Sequence, residues 1–179
     1  MKIRDLVLCA LFCALVAVGA FLRIPLPLIP FTMQTAFVML AGLLLGSKKG
    51  AYACGAYVLL GLIGLPIFTQ GGGIGYVLKP TFGYLIGFII GAWVIGVIAG
   101  DKKPMPSYAR MIGACSAGLF VIYFLGTVYY YLLATLYLNR VVAIWPMLVS
   151  CVLTTLPGDI LLMFLSALLA GRLWAPLKK

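Results

Sequence analysis

Long apolar blocks, separated by short breaks rich in proline, glycine or basic residues, set the pattern of this chain. The blocks near 6–23, 32–46, 50–67, 80–100, 107–134 and 156–175 are predicted as helical spans. Crossing a hydrocarbon core of about 30 Å takes about 20 residues of helix. The breaks at 24–31, 68–79 and 135–155 are predicted as loops on one side of the bundle. The last of these is itself hydrophobic but holds Asn139, Arg140 and Pro146 and precedes Pro157. A single helix from 141 to 171 would be about 46 Å long, too long for one crossing. A surface or partly re-entrant segment followed by a final span fits better, with a five-span arrangement as the alternative.

Composition turns this pattern into a compartment. Of 179 residues, 65% are hydrophobic, 9% are charged and none is histidine. One small soluble core cannot hide that much apolar side chain. The expected fold is an all-α integral membrane protein, a compact bundle of six transmembrane helices in one domain covering 1–179. The opening stretch, MKIRDLVLCALFCALVAVGAF, has a basic start and an apolar run longer than a signal peptide needs, and is read as the first retained span.

Net charge of +10 raises the question of nucleic acid. The basic residues sit in small clusters between apolar blocks, with no continuous stripe, so they read as topology determinants rather than a polyanion surface. With six spans and cytoplasmic termini, Lys2, Arg4, Lys48, Lys49, Lys102, Lys103, Arg110, Arg172, Lys178 and Lys179 fall inside. Only Arg23, Lys79 and Arg140 fall outside. That asymmetry fixes the expected orientation and sends the segment TQGGGIGYVLKPTFGYLIGF, 69–88, to the outer face.

Chemistry is sparse. Cys9, Cys13, Cys54, Cys115 and Cys151 are each embedded in apolar sequence and read as small buried hydrophobes. Without histidine, and with Asp5, Asp101 and Asp159 as the acids, neither nucleophilic catalysis nor a metal site is supported. A P-loop is absent as well: Lys79 lies beside Pro80 instead of following the required glycine. The expectation is no enzyme, no cofactor and no metal in this chain.

Candidate binding residues gather at the outer face. Asp159, in the PGD motif at 157–159, is costly within a membrane unless its surroundings compensate; it serves either as a helix-start anchor or as a ligand contact. Lys79 either snorkels to lipid phosphate or meets a bound anion. Gly71, Gly72, Gly73 and Gly75 allow a tight path or a moving connection. Gln34 bonds either another helix or a ligand. Aromatics such as Phe31, Tyr76, Phe82, Tyr84 and Tyr123 are interface or packing residues, a subset of which can cover an amphipathic molecule. Gly83, Gly87 and Gly91 form a ladder suited to close helix packing, and Ala10 and Ala14 form a small patch on the first span.

Several stretches carry a resemblance: IPLPLIPFTMQTAFVMLAGLLLG (24–46), LGLIGLPIF (60–68), GYVLKPTFGYLIGF (75–88), VIYFLG (121–126) and LPGDILLMFLSALLA (156–170). In order and spacing the chain resembles the BioY family, the biotin-specific S components of energy-coupling factor (ECF) transporters. The resemblance implies a multi-pass subunit of the prokaryotic cell membrane that captures biotin. It implies as partners a transmembrane coupling protein and two cytosolic ABC-type ATPases, which would hold ATP and magnesium. By similarity, Ala10 and Ala14 contact the coupling protein and Asp159 accepts a biotin ureido N–H. Gln34, Gly73, Tyr84 and Tyr123 belong to the outer pocket and its loops.

Two departures stand out. Where the family reads GPTGGY this chain reads KPTFGY, so Phe82 fills space left by glycine and Lys79 adds a charge. Three residues after the PGD aspartate, where the family commonly has lysine, stands Leu162. Lys79 is therefore expected to meet the biotin carboxylate. The competing readings are a gradient-driven vitamin or organic-anion permease using Asp159 as a proton site, and a structural membrane subunit without a ligand.

Overall fold

The computed structural model describes residues 2–26, 29–100, 105–137 and 143–177. Asp101, Lys102, Lys103, Asn139, Arg140, Lys178 and Lys179, which enter the sequence reading, lie outside the described residues. Six helices of twelve residues or more build the bundle: α1 (Ile3–Phe21), α2 (Gln34–Leu45), α3 (Ser47–Ile63), α4 (Phe82–Ala99), α5 (Tyr108–Leu132) and, last, α7 (Leu156–Leu177). A short helix, α6 (Ile144–Leu148), precedes α7, and a 3₁₀ turn (Ile74–Leu78) precedes α4. After α1, the two-residue strands β1 (Arg23–Ile24) and β2 (Phe31–Thr32) pair antiparallel, with Arg23 opposite Thr32.

Four helical stretches are long and apolar enough to cross a membrane: Ile3–Phe21, Phe82–Ala99, Tyr108–Tyr137 and Ile144–Trp174. Apolar side chains point outward from them; Ile3 is 85% exposed, Phe120 70% and Leu161 69%. In water that surface would be costly, whereas lipid satisfies it.

At twelve residues, α2 is only about 18 Å long. It is the bundle's axis: it packs against α1, α3, α4 and α7, and every residue except Phe37 is buried. A helix apolar on all sides belongs in such a position. It ends at Gly46, whose φ of 87° turns the chain directly into α3.

The glycine ladder of α4 lies against α5. A Cβ on Gly83 would come within 2.3 Å of Tyr129 Cβ, and one on Gly87 within 2.9 Å of Ile122 Cα. Backbones approach here at a distance only glycine permits, which is how apolar helices associate without a hydrophobic drive.

Between 133 and 155 the structure departs from the expected outer loop. The end of α5 continues as a π-helical turn, Leu133–Tyr137, and residues 144–153 coil as α6 followed by a second π turn, Val149–Leu153. The helical path breaks at 154–155, where the Thr154 hydroxyl donates to the carbonyl of Val149 (2.8 Å). Pro157 supplies no N–H, so regular helical bonding cannot run unbroken from this turn into α7. The break lets a hydrophobic stretch too long for one crossing bend instead of overshooting.

One end of the bundle collects Lys2, Arg4, Lys48, Lys49, Arg110 and Arg172, whereas Arg23 and Lys79 belong to the other. Lys49 Nζ bonds Asp5 Oδ1 at 2.6 Å, tying the start of α1 to the α2–α3 corner, and Arg110 Nε donates to Ile98 O at 2.6 Å, tying α5 to α4. The positive-inside rule makes this the cytoplasmic end. The cavity described next sits at the other.

Candidate functional site

A cavity opens among the outer ends of α2, α4, α5 and α7, beneath the connection between α3 and α4. Its walls are Ile29, Pro30, Phe31, Leu85, Phe88 and Ile122; its polar lining is Thr32, Gln34, Thr35, Thr69, Tyr76, Thr81, Tyr84, Tyr123, Thr155 and Asp159. The volume is about 50 Å³. That holds on the order of three to five water molecules.

Asp159 stands in the first turn of α7 and is 5% exposed. Its Oδ2 accepts from the Tyr123 hydroxyl, which also bonds Thr155 Oγ1 at 2.9 Å. Oδ1 is buried and makes no hydrogen bond of standard geometry among the described residues, although the Thr35 side chain stands close to the carboxylate. A carboxylate oxygen left bare in such a setting is costly, and a donor brought by a ligand relieves that cost. Phe31 packs over the glycine of the PGD motif: a Cβ on Gly158 would meet the Phe31 ring at 2.4 Å.

Tyr84 and Tyr123 meet edge to face, centroids 6.3 Å apart. The Tyr84 hydroxyl donates to Cys151 O at 2.7 Å, a carbonyl in the second π turn. Its proton is therefore committed, and the ring is what it offers the cavity. Gln34 donates from Nε2 to Tyr57 Oη (2.8 Å), and Tyr57 donates to Ile67 O (3.1 Å). The amide thus ties α2 to α3, the helix-to-helix role of the two expected, and it also lines the cavity.

Above these residues lies the 64–81 connection. Tyr76 is buried; its hydroxyl is 2.9 Å from Thr69 Oγ1 and 2.9 Å from Thr81 Oγ1. Phe68 stacks on Tyr76 (4.5 Å) and meets Tyr57 edge-on (5.4 Å). The guanidinium of Arg23, on β1, donates to Thr69 O and so ties the strand pair to this connection.

Other expected residues fall elsewhere. Lys79 is exposed and does not line the cavity. It leaves the 3₁₀ turn in an extended conformation, φ −93° and ψ 142°, so its side chain does not share the inward face of Tyr76. Phe82 is buried but packs against Tyr129, centroids 5.6 Å apart, outside the cavity. Gly73 contributes backbone: φ is 98°, and its N–H donates to Gly61 O at 2.7 Å. Ala10 and Ala14 lie on the exposed face of α1, far along the chain from these lining residues. The five cysteines are free and buried, and no cluster of metal-ligating side chains occurs among the described residues.

A family profile described as the BioY family matches residues 1–179. The chain belongs to the BioY family. A probable biotin transporter BioY from Lysinibacillus sphaericus is 47% identical over 170 residues, covering 95% of this chain and 86% of that protein. The biotin transporter BioY of Thermotoga maritima is 47% identical over 124 residues, 69% of this chain and 72% of its own length. The fold is similar to a crystal structure of the S component for biotin from an ECF-type ABC transporter. The TM-score is 0.80 at 27% identity, covering 96% of this chain and 91% of that one. A multi-pass membrane protein with its cavity under the α3–α4 connection is therefore the BioY architecture as this sequence builds it.

Sequence reasoning passed over Thr69 and Thr81 and took Thr154 or Thr155 only as a cap for the last helix. Hydroxyls in apolar context are a weak signal, because a threonine can satisfy itself on the preceding helical turn. Only the fold shows that these hydroxyls converge on one space.

Proposed function

We propose that this BioY chain is the substrate-binding subunit of an ECF vitamin importer and captures biotin at its outer face. The observation carrying the proposal is Asp159 Oδ1, buried, unpartnered and aligned with a cavity whose walls are apolar. A ureido group presents N–H donors, and a bicyclic ring with an aliphatic tail suits walls of Phe31, Leu85, Phe88 and Ile122. The names of its relatives support the same substrate.

Capture involves no covalent step. At about 50 Å³ the cavity is narrower than pockets that bury a ligand of this kind, which favours entry by displacement of the α3–α4 connection. Gly64, Gly71 and Gly73, all at positive φ, are the points at which that connection can swing. Closure then buries the ligand, and Tyr123 holds Asp159 in place to receive it.

Transport requires energy from elsewhere. The partners are a transmembrane coupling protein, seated against the Ala10 and Ala14 face of α1, and two cytosolic ATPases that bind ATP and magnesium. Both alanines are exposed on a helix whose outward side is otherwise bulky. Small residues there leave room for a helix backbone to approach.

The test is equilibrium binding to the purified chain in detergent, with biotin, biotinamide, desthiobiotin and thiamine in parallel. Saturable binding that prefers biotin is expected and thiamine should not compete. A folded chain that binds none of the biotin analogues removes the substrate assignment.

A further inference from the structure

Among the described residues the lining contains no lysine or arginine, and Asp159 is its one formally charged side chain. An acid-tailed ligand must then place its carboxylate against neutral donors, and the hydrogen-bond inventory shows where one is available. Asp159 offers an acceptor only, and Tyr123 and Tyr84 have committed their protons to Asp159 and Cys151 O. Tyr57 has committed its own to Ile67 O.

Gln34 keeps one Nε2–H beyond its bond to Tyr57, and the Thr35 side chain lies beside Asp159. Thr69, Tyr76 and Thr81 are the donor set carried by the connection and its junction with α4. Their three hydroxyls carry three protons and share two hydrogen bonds, Thr69 Oγ1 to Tyr76 Oη and Tyr76 Oη to Thr81 Oγ1. Whichever way the chain of bonds runs, one proton is left over. The Thr81 oxygen accepts no cap bond from the first turn of α4, so its hydroxyl is engaged with the relay and not with the helix end. All three residues line the cavity. A hydroxyl already accepting from another is a stronger donor, since linked hydrogen bonds polarise one another. Thr69 is held from outside by Arg23, which fixes the outer member of the set.

We infer that the Thr69–Tyr76–Thr81 hydroxyl relay is the seat for the anionic end of the captured ligand, in place of Lys79. The inference rests on biotin capture at this cavity and assigns its two poles: the carboxylate of Asp159 takes the ligand's N–H donors, and the relay takes its carboxylate. The relay belongs to the connection that covers the cavity, so a ligand carboxylate bonded to it ties the cover to the bundle. Closure and recognition of the acid are then one event.

The experiment compares biotin with biotinamide on the detergent-purified chain and on Tyr76→Phe, Thr81→Val and Lys79→Ala. A hydrogen bond to a charged group is stronger than one to a neutral amide. Tyr76→Phe should therefore weaken biotin by about tenfold or more while weakening biotinamide clearly less. Thr81→Val, which removes an end of the relay and leaves the aromatic core untouched, should show the same selectivity should Tyr76→Phe unfold. Lys79→Ala should treat both ligands as the parent chain does. Equal losses for the two ligands in both relay variants, or a selective loss of biotin in Lys79→Ala, overturn the relay alone. A folded parent chain that binds neither ligand overturns the relay together with the capture reading.

Discussion

Asp159 and Lys79 looked equally conspicuous as charges in an apolar chain, and the fold separates them. Asp159 is drawn inward because Pro157 starts a helix there, and the first turn of a helix favours an acid. Tyr123 from α5 supplies one hydrogen bond, leaving the second oxygen bare. Lys79 faces out, where an ammonium reaches water or lipid phosphate on a flexible stem. Asp159→Asn keeps the shape but replaces a charged acceptor with a neutral amide that also presents a donor. Hydrogen bonds to charged groups are worth about 1.5–3 kcal/mol, so biotin affinity should fall by roughly 10- to 100-fold. Binding titrations with the variant check this, and an undiminished affinity would remove Asp159 from the contact set.

Among the elements, the α4–α5 seam sets the position of both cavity tyrosines. Tyr84 rides on α4 and Tyr123 on α5, and their rings meet because Gly83, Gly87 and Gly91 let the helices close. A side chain at Gly87 would collide with the backbone of Ile122, which cannot move aside like a flexible side chain. Gly87→Leu should therefore destabilise the chain by about 1–3 kcal/mol and lower its thermal unfolding midpoint in detergent. Biotin binding should weaken in the same variant, since Ile122 and Tyr123 are adjacent wall residues. The ladder was legible as a sequence repeat, but its partner helix was not: glycine spacing marks a face without saying which neighbour meets it. The helical coil over 144–153 was equally opaque, since its composition suits a loop, a surface helix or part of a span.

Across the whole molecule, the proposed function assigns recognition and coupling to different surfaces. Ligand-facing groups lie inside the outer half, whereas Ala10 and Ala14 face outward on α1. That separation predicts that the paired change Ala10→Leu and Ala14→Leu leaves biotin binding of the solitary chain intact while abolishing co-purification with the coupling protein. Retained assembly would point to another face of the bundle as the docking surface. The same arrangement gives the basic residues a structural role beyond topology: Lys49 with Asp5 and Arg110 with Ile98 O pin the cytoplasmic ends of their helices.

Membrane residence, orientation and family membership were determined by the sequence alone, because apolar length, lysine and arginine placement and ordered motifs are properties of the chain read linearly. Asp159, Gln34, Tyr84 and Tyr123 were legible as site candidates, since polar or amphipathic side chains in apolar context need partners. Tertiary structure alone decided that Lys79 and Phe82 stay out of the cavity and that Thr69, Tyr76 and Thr81 converge inside it. The physical reason is that side-chain direction follows local dihedrals and the packing of distant helices. Which hydroxyl keeps a spare proton depends on every partner within about 3 Å, wherever it lies along the chain.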